Sequence, residues 1–377
     1  LRLDVATGAE KARYDEPIAL TASFADLSAS PAGDRVVVDV DAGDHTELRI
    51  LDARDLHPLP GPALPLGSFR LGQFTADGAR LTLDTNTPAG PSDIAILELA
   101  SQAITPLRRE PRRGLAAPPK ATIEKLPGFD GTTIPIDVYL PAATGHLPTL
   151  VLVHGGPSGS AKIGWSPTIG FWTAMGFAVI APNIRGSTGF GIAYMNADNR
   201  EHRADAVKDM ETVNRWARAQ PWCDGDRIVI GGISYGGYMT LLALTRQPTL
   251  WRAGIDGSGM SNLKTMEQLE DQTIRAYDDT EFGRLGTDDA LLAEWSPITA
   301  VDHIVAPVFV YQGVRDPVTP QHEADQIVEA LRARHVPVEY MLVDNEGHGV
   351  TRRDNVIAYL ARSYRFVAEH LHLRRYP

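Results

Sequence analysis

The chain has 377 residues, of which 43% are hydrophobic and 22% are charged, a composition typical of a folded globular protein with about two domains. Its formal net charge of −11 argues against a general nucleic-acid-binding protein, because the sequence carries no compensating basic patch. No apolar run reaches the roughly 20 residues that a membrane-spanning helix needs, and the single cysteine, Cys223, excludes an intrachain disulfide. We therefore expect a soluble protein without nucleic-acid or membrane partners, and leave open whether its compartment is cytoplasmic or periplasmic.

Residues 1 to about 106 have the pattern of a β protein. Short apolar segments alternate with turn signals rich in glycine, proline and aspartate. The segment 30–36 resembles the segment 75–81, with Gly33 and Gly78 in corresponding places. A repeat of about 45 residues that contains several short strands is typical of the blades of a β-propeller.

This first part holds about two and a half such units, whereas propellers typically close with about 4–8 blades. The chain also opens inside a unit, at Leu1–Val5. We therefore interpret residues 1–115 as the C-terminal blades of a propeller and a linker, the arginine- and proline-rich stretch 107–119. On this interpretation the rest of the propeller would precede these blades in a longer polypeptide, and we expect it to be their partner. The alternative is a small open β-sheet packed on the second domain.

From about residue 148 the pattern changes to α/β. Near-continuous apolar runs, which predict buried strands, alternate with amphipathic runs, which predict helices. The predicted strands are 150–153, 177–181, 227–230, 308–311 and 338–343, and the predicted helices are 203–218, 323–334 and 355–370. A predicted hairpin, 124–139, precedes them. We expect residues 116–377 to form a mostly parallel sheet covered by helices on both faces, with the functional site beyond the carboxyl ends of the strands.

The segment Gly232–Gly236, with the sequence G-I-S-Y-G, carries the strongest functional signal. It lies between the predicted strand 227–230 and the helix-like run 238–244. Glycines that flank a serine at two-residue spacing between a strand and a helix form a nucleophile elbow, whose strained turn exposes the serine oxygen. Ser234 is therefore the candidate nucleophile.

A serine hydroxyl becomes a good nucleophile only when a base removes its proton, and that base works best when a carboxylate orients it. After a nucleophile elbow, the expected order along the chain is serine, then aspartate or glutamate, then histidine. Asp316 follows the predicted strand 308–311, and His348 follows the predicted strand 338–343 and lies between two glycines. We predict Asp316 as the orienting acid and His348 as the base.

The oxyanion that forms during acyl transfer is stabilised by two N–H donors. Tyr235, which follows the nucleophile, supplies one backbone N–H. The strand 150–153 ends in the glycine-rich turn 154–157, so we predict Gly156 as the second donor, with Gly155 as the alternative. The sequence has no zinc-binding or phosphate-binding motif, so we expect neither a metal nor another cofactor.

Together these segments resemble the prolyl oligopeptidase family of serine peptidases. The resemblance covers roughly residues 120–370, and the matching segments are 154–157, 183–191, 232–238, 312–320 and 346–349. It implies an α/β-hydrolase domain reached through a β-propeller. It also implies a serine peptidase that cleaves short peptides through an acyl-enzyme. Whether the protein forms a homo-oligomer stays open.

Within the family, the turn 154–157 is similar to the acylaminoacyl-peptidase branch, because the other branches usually have tyrosine where His154 stands. Many relatives have a polar residue two positions after the catalytic aspartate, where this chain has Val318. An acylaminoacyl-peptidase-like exopeptidase or oligopeptidase is our leading hypothesis. A dipeptidyl or prolyl-type peptidase and a carboxylesterase with the same triad are the alternatives. The candidate substrate-contacting residues are Tyr238, Trp165 and Val318.

Overall fold

A computed structural model describes residues 1–16, 26–108, 114–269 and 271–373. The middle of the predicted linker, 109–113, lies outside the described residues. The described strands are β1 (Arg2–Leu3), β2 (Glu10–Ala12), β3 (Leu27–Ala29), β4 (Arg35–Asp41), β5 (Thr46–Asp52), β6 (Pro58–Leu59), β7 (Ser68–Phe74), β8 (Arg80–Thr87), β9 (Gly90–Glu98), β10 (Ala103–Pro106), β11 (Lys120–Pro127), β12 (Thr133–Leu140), β13 (Leu147–Val153), β14 (Ala178–Pro182), β15 (Cys223–Ile233), β16 (Ala253–Gly257), β17 (Val308–Gly313) and β18 (Val338–Val343).

The α-helices are α1 (Pro167–Ala174), α2 (Ile192–Met195), α3 (Arg203–Arg218), α4 (Tyr235–Arg246), α5 (Leu263–Leu269), α6 (Gln272–Glu281), α7 (Asp289–Glu294), α8 (Gln321–Ala333) and α9 (Arg353–His370). Two 3₁₀ segments, Arg200–His202 and Pro297–His303, complete the helical elements of the described chain. None of these helices combines the length and the apolar character needed to cross a membrane.

The N-terminal strands form three antiparallel sheets. β1 and β2 make a two-stranded ribbon, whereas β3–β6 and β7–β10 make two four-stranded sheets in which neighbours along the chain are also neighbours in space. The two four-stranded sheets share one apolar core. Its members include Val37, Leu48, Leu81 and Leu97, none of which is more than 6% exposed.

The repeat found in the sequence is also a repeat in the structure. Gly33 and Gly78 both have a φ of 68°, a conformation that favours glycine because it has no Cβ. The Gly33 N–H donates to Ser30 O at 2.9 Å, and the Gly78 N–H donates to Thr75 O at 2.8 Å. The same turn therefore joins β3 to β4 and β7 to β8.

The rest of the chain is built on an eight-stranded sheet, with the strand order β11-β12-β14-β13-β15-β16-β17-β18. β11 and β12 form the predicted hairpin, and every strand pair from β14 to β18 is parallel. Helices α3, α4 and α8 pack on one apolar core, and α1 and α9 pack on a second core. The α/β class and the mostly parallel sheet with helices on both faces are thus confirmed.

Strand β16 lies between β15 and β17, and the pattern of apolar runs did not predict it. Two glycines and Asp256 give this five-residue strand a weak sequence signal, although all five residues are buried. Packing explains the glycine at position 254, because a Cβ there would lie 2.6 Å from the Leu244 side chain of α4. The strand places the loop 258–262 between the loops that follow β15 and β17.

The N-terminal sheets contact the helical side of the molecule through a few well-defined pairs. The Trp165 N–H donates to Asn86 Oδ1 at 2.9 Å. A Cβ at Gly43 would lie 2.4 Å from the Phe190 ring, so this ring packs directly on the backbone of the loop that joins β4 to β5. These pairs join the N-terminal sheets to segments that follow β13 and β14.

Candidate active site

Ser234 lies on a strained turn between β15 and α4. Its φ of 62° and ψ of −123° are unusual for a residue with a side chain. The Ser234 N–H donates to Gly257 O at 2.8 Å, which fixes the turn to β16. A Cβ at Gly232 would lie 2.5 Å from Val153 O, and one at Gly236 would lie 2.3 Å from the same oxygen. The two glycines are therefore required by the close approach of β13.

Asp316 and His348 form a hydrogen-bonded pair in the loops after β17 and β18. His348 Nδ1 lies 2.9 Å from Asp316 Oδ2 and 3.0 Å from Oδ1. The backbone N–H groups of Val318 and Thr319 also donate to Asp316 Oδ1, each at 2.9 Å. Burial alone would raise the pKa of Asp316, but the hydrogen bond from His348 and these backbone groups hold it below its ordinary value. The aspartate is therefore an ionised acceptor that orients the imidazole.

Because the strands are parallel, all three candidate residues lie at the carboxyl ends of the strands of the large sheet. Ser234 follows β15, Asp316 follows β17 and His348 follows β18. The Asp316 side chain is fully buried, whereas the His348 side chain is 26% exposed. The imidazole therefore contacts Asp316 inside the protein and is accessible to solvent on its other side. Among the described residues, no hydrogen bond joins Ser234 Oγ to His348. Such bonds are often long in unliganded enzymes and tighten when substrate binds.

Glu346 anchors the loop that carries His348, and the sequence reasoning did not identify it. Its buried carboxylate accepts hydrogen bonds from the Thr351 hydroxyl, the Arg352 N–H and the Asn355 side-chain amide, each at 2.8 Å. These contacts tie the loop to the start of α9. The only signal available in the sequence was its position two residues before His348.

The two predicted oxyanion donors lie on either side of the elbow. Tyr235 is the first residue of α4, where a backbone N–H has no acceptor within the helix. A Cβ at Gly155 would lie 3.6 Å from Ser234 Cβ, so the turn after β13 reaches the nucleophile. Gly156 follows with a φ of 144°, and its N–H donates to none of the described residues. The two candidate donors therefore adjoin Ser234 in the chain and in the turn after β13.

The turn after β13 is held by the segment 183–191. His154 Nε2 lies 2.8 Å from Ser187 Oγ, and the Thr188 N–H donates to Gly159 O at 2.8 Å. Burial lowers the pKa of His154 below its ordinary value. A neutral His154 therefore serves as a structural link in this loop.

The three candidate substrate-contacting residues occupy different environments. Tyr238 is fully buried and its hydroxyl donates to Trp295 O at 3.0 Å, so this residue is part of the core and has no surface for a substrate. Trp165 lines a cavity of about 310 Å³ that it shares with linker residues 114–119. Val318 is half-buried and adjoins the triad, because its backbone N–H donates to Asp316.

One group of side chains in the described chain has the spacing of a metal site. It comprises Asp52, Asp55 and His57, in and after β5. Asp55 and His57 are exposed, and exposed acidic groups of this kind are common without a metal. Neither the sequence nor the geometry of this group indicates a cofactor for the site at Ser234.

Comparison with known proteins places this geometry in a family. A 240-residue match to dipeptidyl aminopeptidase BIII of Pseudoxanthomonas mexicana is 37% identical and covers 62% of this chain and 35% of the relative. A 248-residue match to the human acylamino-acid-releasing enzyme is 27% identical and covers 63% of this chain and 34% of that enzyme. The chain therefore spans about a third of the length of these curated relatives.

Solved structures show the same fold at lower sequence identity. A puromycin hydrolase is 22% identical with a TM-score of 0.86, and the match covers 99% of this chain and 58% of that protein. An acylaminoacyl peptidase from Pyrococcus horikoshii is 19% identical with a TM-score of 0.81, and the match covers 96% of this chain and 57% of that protein. Residues 165–374, more than half of the chain, match the prolyl oligopeptidase family. The chain is a member of the prolyl oligopeptidase family.

Proposed function

We propose that this protein is a serine peptidase that cleaves short peptides through an acyl-enzyme on Ser234. The observation that carries the proposal is the shared position of three features at one edge of the sheet. They are the strained Ser234, the hydrogen-bonded pair of Asp316 and His348, and the glycine turn 154–157. This combination supplies a nucleophile, an oriented base and free N–H donors, which acyl transfer requires.

In the proposed acylation step, Ser234 Oγ attacks the carbonyl carbon of the scissile amide while His348 Nε2 accepts the hydroxyl proton. Asp316 accepts the Nδ1–H of His348, holds the ring in the required tautomer and stabilises the imidazolium that forms. The N–H groups of Tyr235 and Gly156 donate to the oxyanion. His348 then returns its proton to the leaving amine, and the carbon–nitrogen bond breaks.

In the proposed deacylation step, a water molecule replaces the leaving amine. His348 Nε2 accepts a proton from this water as its oxygen attacks the ester of Ser234, and the same two N–H groups hold the second oxyanion. Collapse of this intermediate returns the proton to Ser234 Oγ and releases the acid product. The loss of one oxyanion donor typically costs about 2.7–4 kcal/mol of transition-state stabilisation.

We also infer that the sheets β3–β6 and β7–β10 are blades of a β-propeller, within a unit of residues 1–115 that precedes the catalytic unit 116–377. Two observations support this inference. The sheets repeat the same turn at Gly33 and Gly78, and the puromycin hydrolase match extends over 99% of this chain, N-terminal sheets included.

The proposed substrate class is a short peptide, with an acylaminoacyl-peptidase-like exopeptidase or oligopeptidase as the leading form. His154 supports this form, because a backbone turn and not a tyrosine hydroxyl adjoins Ser234. A dipeptidyl peptidase is the second candidate, and the 37% identity with dipeptidyl aminopeptidase BIII favours it. The two forms differ in whether the peptide N terminus is blocked or free.

The nucleophile is tested with a fluorophosphonate probe, which labels an activated serine. We expect the wild-type protein to be labelled and Ser234→Ala to be unlabelled. Ser101→Ala, in the surface turn between β9 and β10, is the matched control and should label like the wild type. Equal labelling of the wild type and Ser234→Ala would contradict the assignment.

The substrate class is tested with three chromogenic substrates: an N-acetyl-aminoacyl anilide, a dipeptidyl anilide with a free amine, and a simple ester. Preference for the acetylated anilide supports the leading form, and preference for the free dipeptide supports the second candidate. Rapid ester hydrolysis with no anilide cleavage, by unlabelled protein from a preparation that reacts with the probe, would reject a peptidase and favour a carboxylesterase.

A further inference from the structure

A fully buried guanidinium lies directly behind the nucleophile elbow. Arg203, the first residue of α3, is 1% exposed and donates hydrogen bonds to the carboxylates of Asp198 and Glu281. It also donates to the Tyr235 hydroxyl at 2.5 Å. One cation therefore serves two carboxylates, and burial raises the pKa of Glu281 to about 7. Taking such charges out of water is costly, so a buried ion cluster is weak evidence for stabilisation of the fold.

Three chains of contacts, or arms, lead away from Arg203. The first arm reaches Tyr235, the first candidate oxyanion donor. The Tyr235 hydroxyl donates to Asp198 Oδ2 at 2.7 Å while it accepts from Arg203. The guanidinium carbon also lies 5.3 Å from the centre of the Tyr235 ring and 4.9 Å from that of Phe282. The Tyr235 side chain thus has no freedom to turn, and its backbone N–H, which follows Ser234 in the chain, is fixed with it.

The second arm reaches the loop of the second donor. A Cβ at Gly186 would lie 2.4 Å from the Asp198 carboxylate, so Asp198 packs on the backbone of the segment 183–191. The next residue, Ser187, contacts His154 Nε2 at 2.8 Å. His154 begins the turn that carries Gly156. The carboxylate that binds Tyr235 therefore also supports the turn on the other side of Ser234.

The third arm reaches the same turn through α6. Glu281 is the last residue of α6, and Tyr277 lies one helical turn before it. The Tyr277 hydroxyl contacts Ser158 Oγ at 2.6 Å, two residues after Gly156. The three arms make a closed ring of contacts around the elbow, and the ring passes through both donor segments.

We propose that Arg203 is a positioning residue that sets the distance between the N–H groups of Tyr235 and Gly156. This inference rests on the proposed function, since it assigns both groups to the oxyanion. Arg203 touches neither substrate nor reacting atoms and acts through Tyr235, Asp198 and Glu281. The ring aligns the two donors before substrate arrives, which is the condition under which such donors stabilise a transition state best.

The experiment compares Arg203→Met, Arg203→Lys and the wild type in the full chain. Three quantities are measured: kcat and KM for the preferred anilide, affinity for a peptide aldehyde, and the thermal unfolding midpoint. The aldehyde forms a tetrahedral adduct on Ser234 whose oxygen needs the two donors. For Arg203→Met we expect kcat to fall about 10²–10³-fold, as for the loss of one oxyanion donor. Aldehyde affinity should fall in parallel while KM changes less than about threefold, and Arg203→Lys should lie between.

Arg49→Met is the matched control. The Arg49 side chain is 22% exposed and pairs with Glu16 and Glu47 in the N-terminal part of the chain, so its loss removes a cation with two carboxylate partners without touching the elbow. We expect a lower unfolding midpoint for this variant and unchanged kcat. An Arg203→Met protein that folds and keeps kcat and aldehyde affinity would overturn the proposal. The proposal would also be overturned if Arg49→Met, at an equal loss of stability, lowered kcat as much as Arg203→Met does.

Tyr235→Phe keeps the test decisive if Arg203→Met does not fold, because it removes only the hydroxyl contact. We expect kcat and aldehyde affinity to fall together for this variant, by a smaller factor. No change in either quantity would overturn the proposal. A wild-type protein that neither reacts with fluorophosphonate nor cleaves peptides would instead reject the proposed function, so the two failures are distinct.

Discussion

Two aspartates with fully buried side chains show how hydrogen bonding decides the charge of a carboxyl group. Asp316 is surrounded by donors, and the His348 ring and two backbone N–H groups keep its pKa below the ordinary value despite burial. Asp137, in β12, is also fully buried, but neither carboxyl oxygen has a hydrogen-bond partner among the described residues. Burial, with a smaller contribution from Asp44, raises the pKa of Asp137 to about 9. Asp316 therefore carries a charge at neutral pH, and Asp137 carries a proton.

The protonation of Asp137 predicts a pH-dependent stability. An aspartate in the unfolded chain has a pKa of about 3.9, so between about pH 4 and pH 9 the folded protein holds a proton that the unfolded chain releases. Its contribution is fully present below the unfolded pKa and is lost as the pH rises, by about 1.4 kcal/mol per pH unit. Asp137→Asn cannot titrate, so its unfolding free energy should fall less steeply from pH 5 to pH 9 than that of the wild type.

Urea unfolding at a series of pH values measures these slopes. The control is Asp226→Asn, which replaces an exposed aspartate in β15 and should keep the wild-type slope. Parallel slopes for the wild type and Asp137→Asn would mean that Asp137 is ionised in the folded protein.

At the scale of elements, the elbow depends on how closely β13, β15 and α4 approach one another. Val153 O of β13 would lie 2.5 Å from a Cβ at Gly232 and 2.3 Å from a Cβ at Gly236, so the glycines on both sides of Ser234 pack against the same carbonyl. This contact fixes the start of α4 against the turn that carries the candidate oxyanion donor. The glycines of the motif are therefore explained by packing between elements as well as by the strained turn.

A methyl group at Gly236 tests this dependence. In Gly236→Ala the new Cβ would lie 2.3 Å from Val153 O, and a backbone oxygen cannot move away as a flexible side chain can. Overpacking of this kind typically costs about 1–3 kcal/mol. We expect a lower unfolding midpoint and at least a tenfold fall in kcat, since the elbow and the donor turn must separate.

Gly225→Ala is the control for this substitution, because its Cβ would meet only ordinary contacts at 3.4 Å or more from Arg218. Both variants are measured by thermal unfolding and by anilide turnover. Retention of wild-type kcat by Gly236→Ala would show that the approach of β13 to α4 does not control the site.

Local patterns predicted the elements that carry the candidate triad, and they failed where packing overrides local signals. Ser234, Asp316 and His348 follow apolar strand runs, so parallel topology brings them to one edge. β16 was not predicted because its glycines and Asp256 reflect packing between elements: Gly254 and Asp256 adjoin α4, and Gly257 adjoins β15. Tyr238 was expected beside the substrate, but the direction of a side chain in the first turn of a buried helix depends on the neighbouring helices.

At the scale of the whole molecule, no pattern in the sequence predicted the contacts between distant segments. Arg203 contacts Asp198, five residues before it, and also Tyr235 and Glu281, which are 32 and 78 residues away along the chain. No spacing rule relates them, because loops and helices of unrelated length bring them together. A buried cation of this kind can be found only after the fold is known.

The Phe190 ring connects the N-terminal sheets with the candidate active site. It packs on Gly43 and stacks edge-on with Tyr194 at a centroid distance of 5.6 Å. Two residues before it, the Thr188 N–H donates to Gly159 O beside the donor turn. Phe190 therefore couples the loop between β4 and β5 to the segment that supports this turn.

Phe190→Ala should weaken the association of the two parts of the molecule. Truncation of a fully buried phenylalanine costs about 3–5 kcal/mol, and because Phe190 is half-buried we expect about half of that. Ile192→Ala is the control, since this neighbouring side chain is 59% exposed and its truncation should cost little. All six tryptophans follow residue 164, so urea unfolding is followed by tryptophan fluorescence for the C-terminal part and by circular dichroism for the whole chain. Phe190→Ala should show an earlier transition, or two separate transitions as the parts unfold independently. Identical unfolding curves for the two variants would mean that the ring does not hold the N-terminal sheets in place.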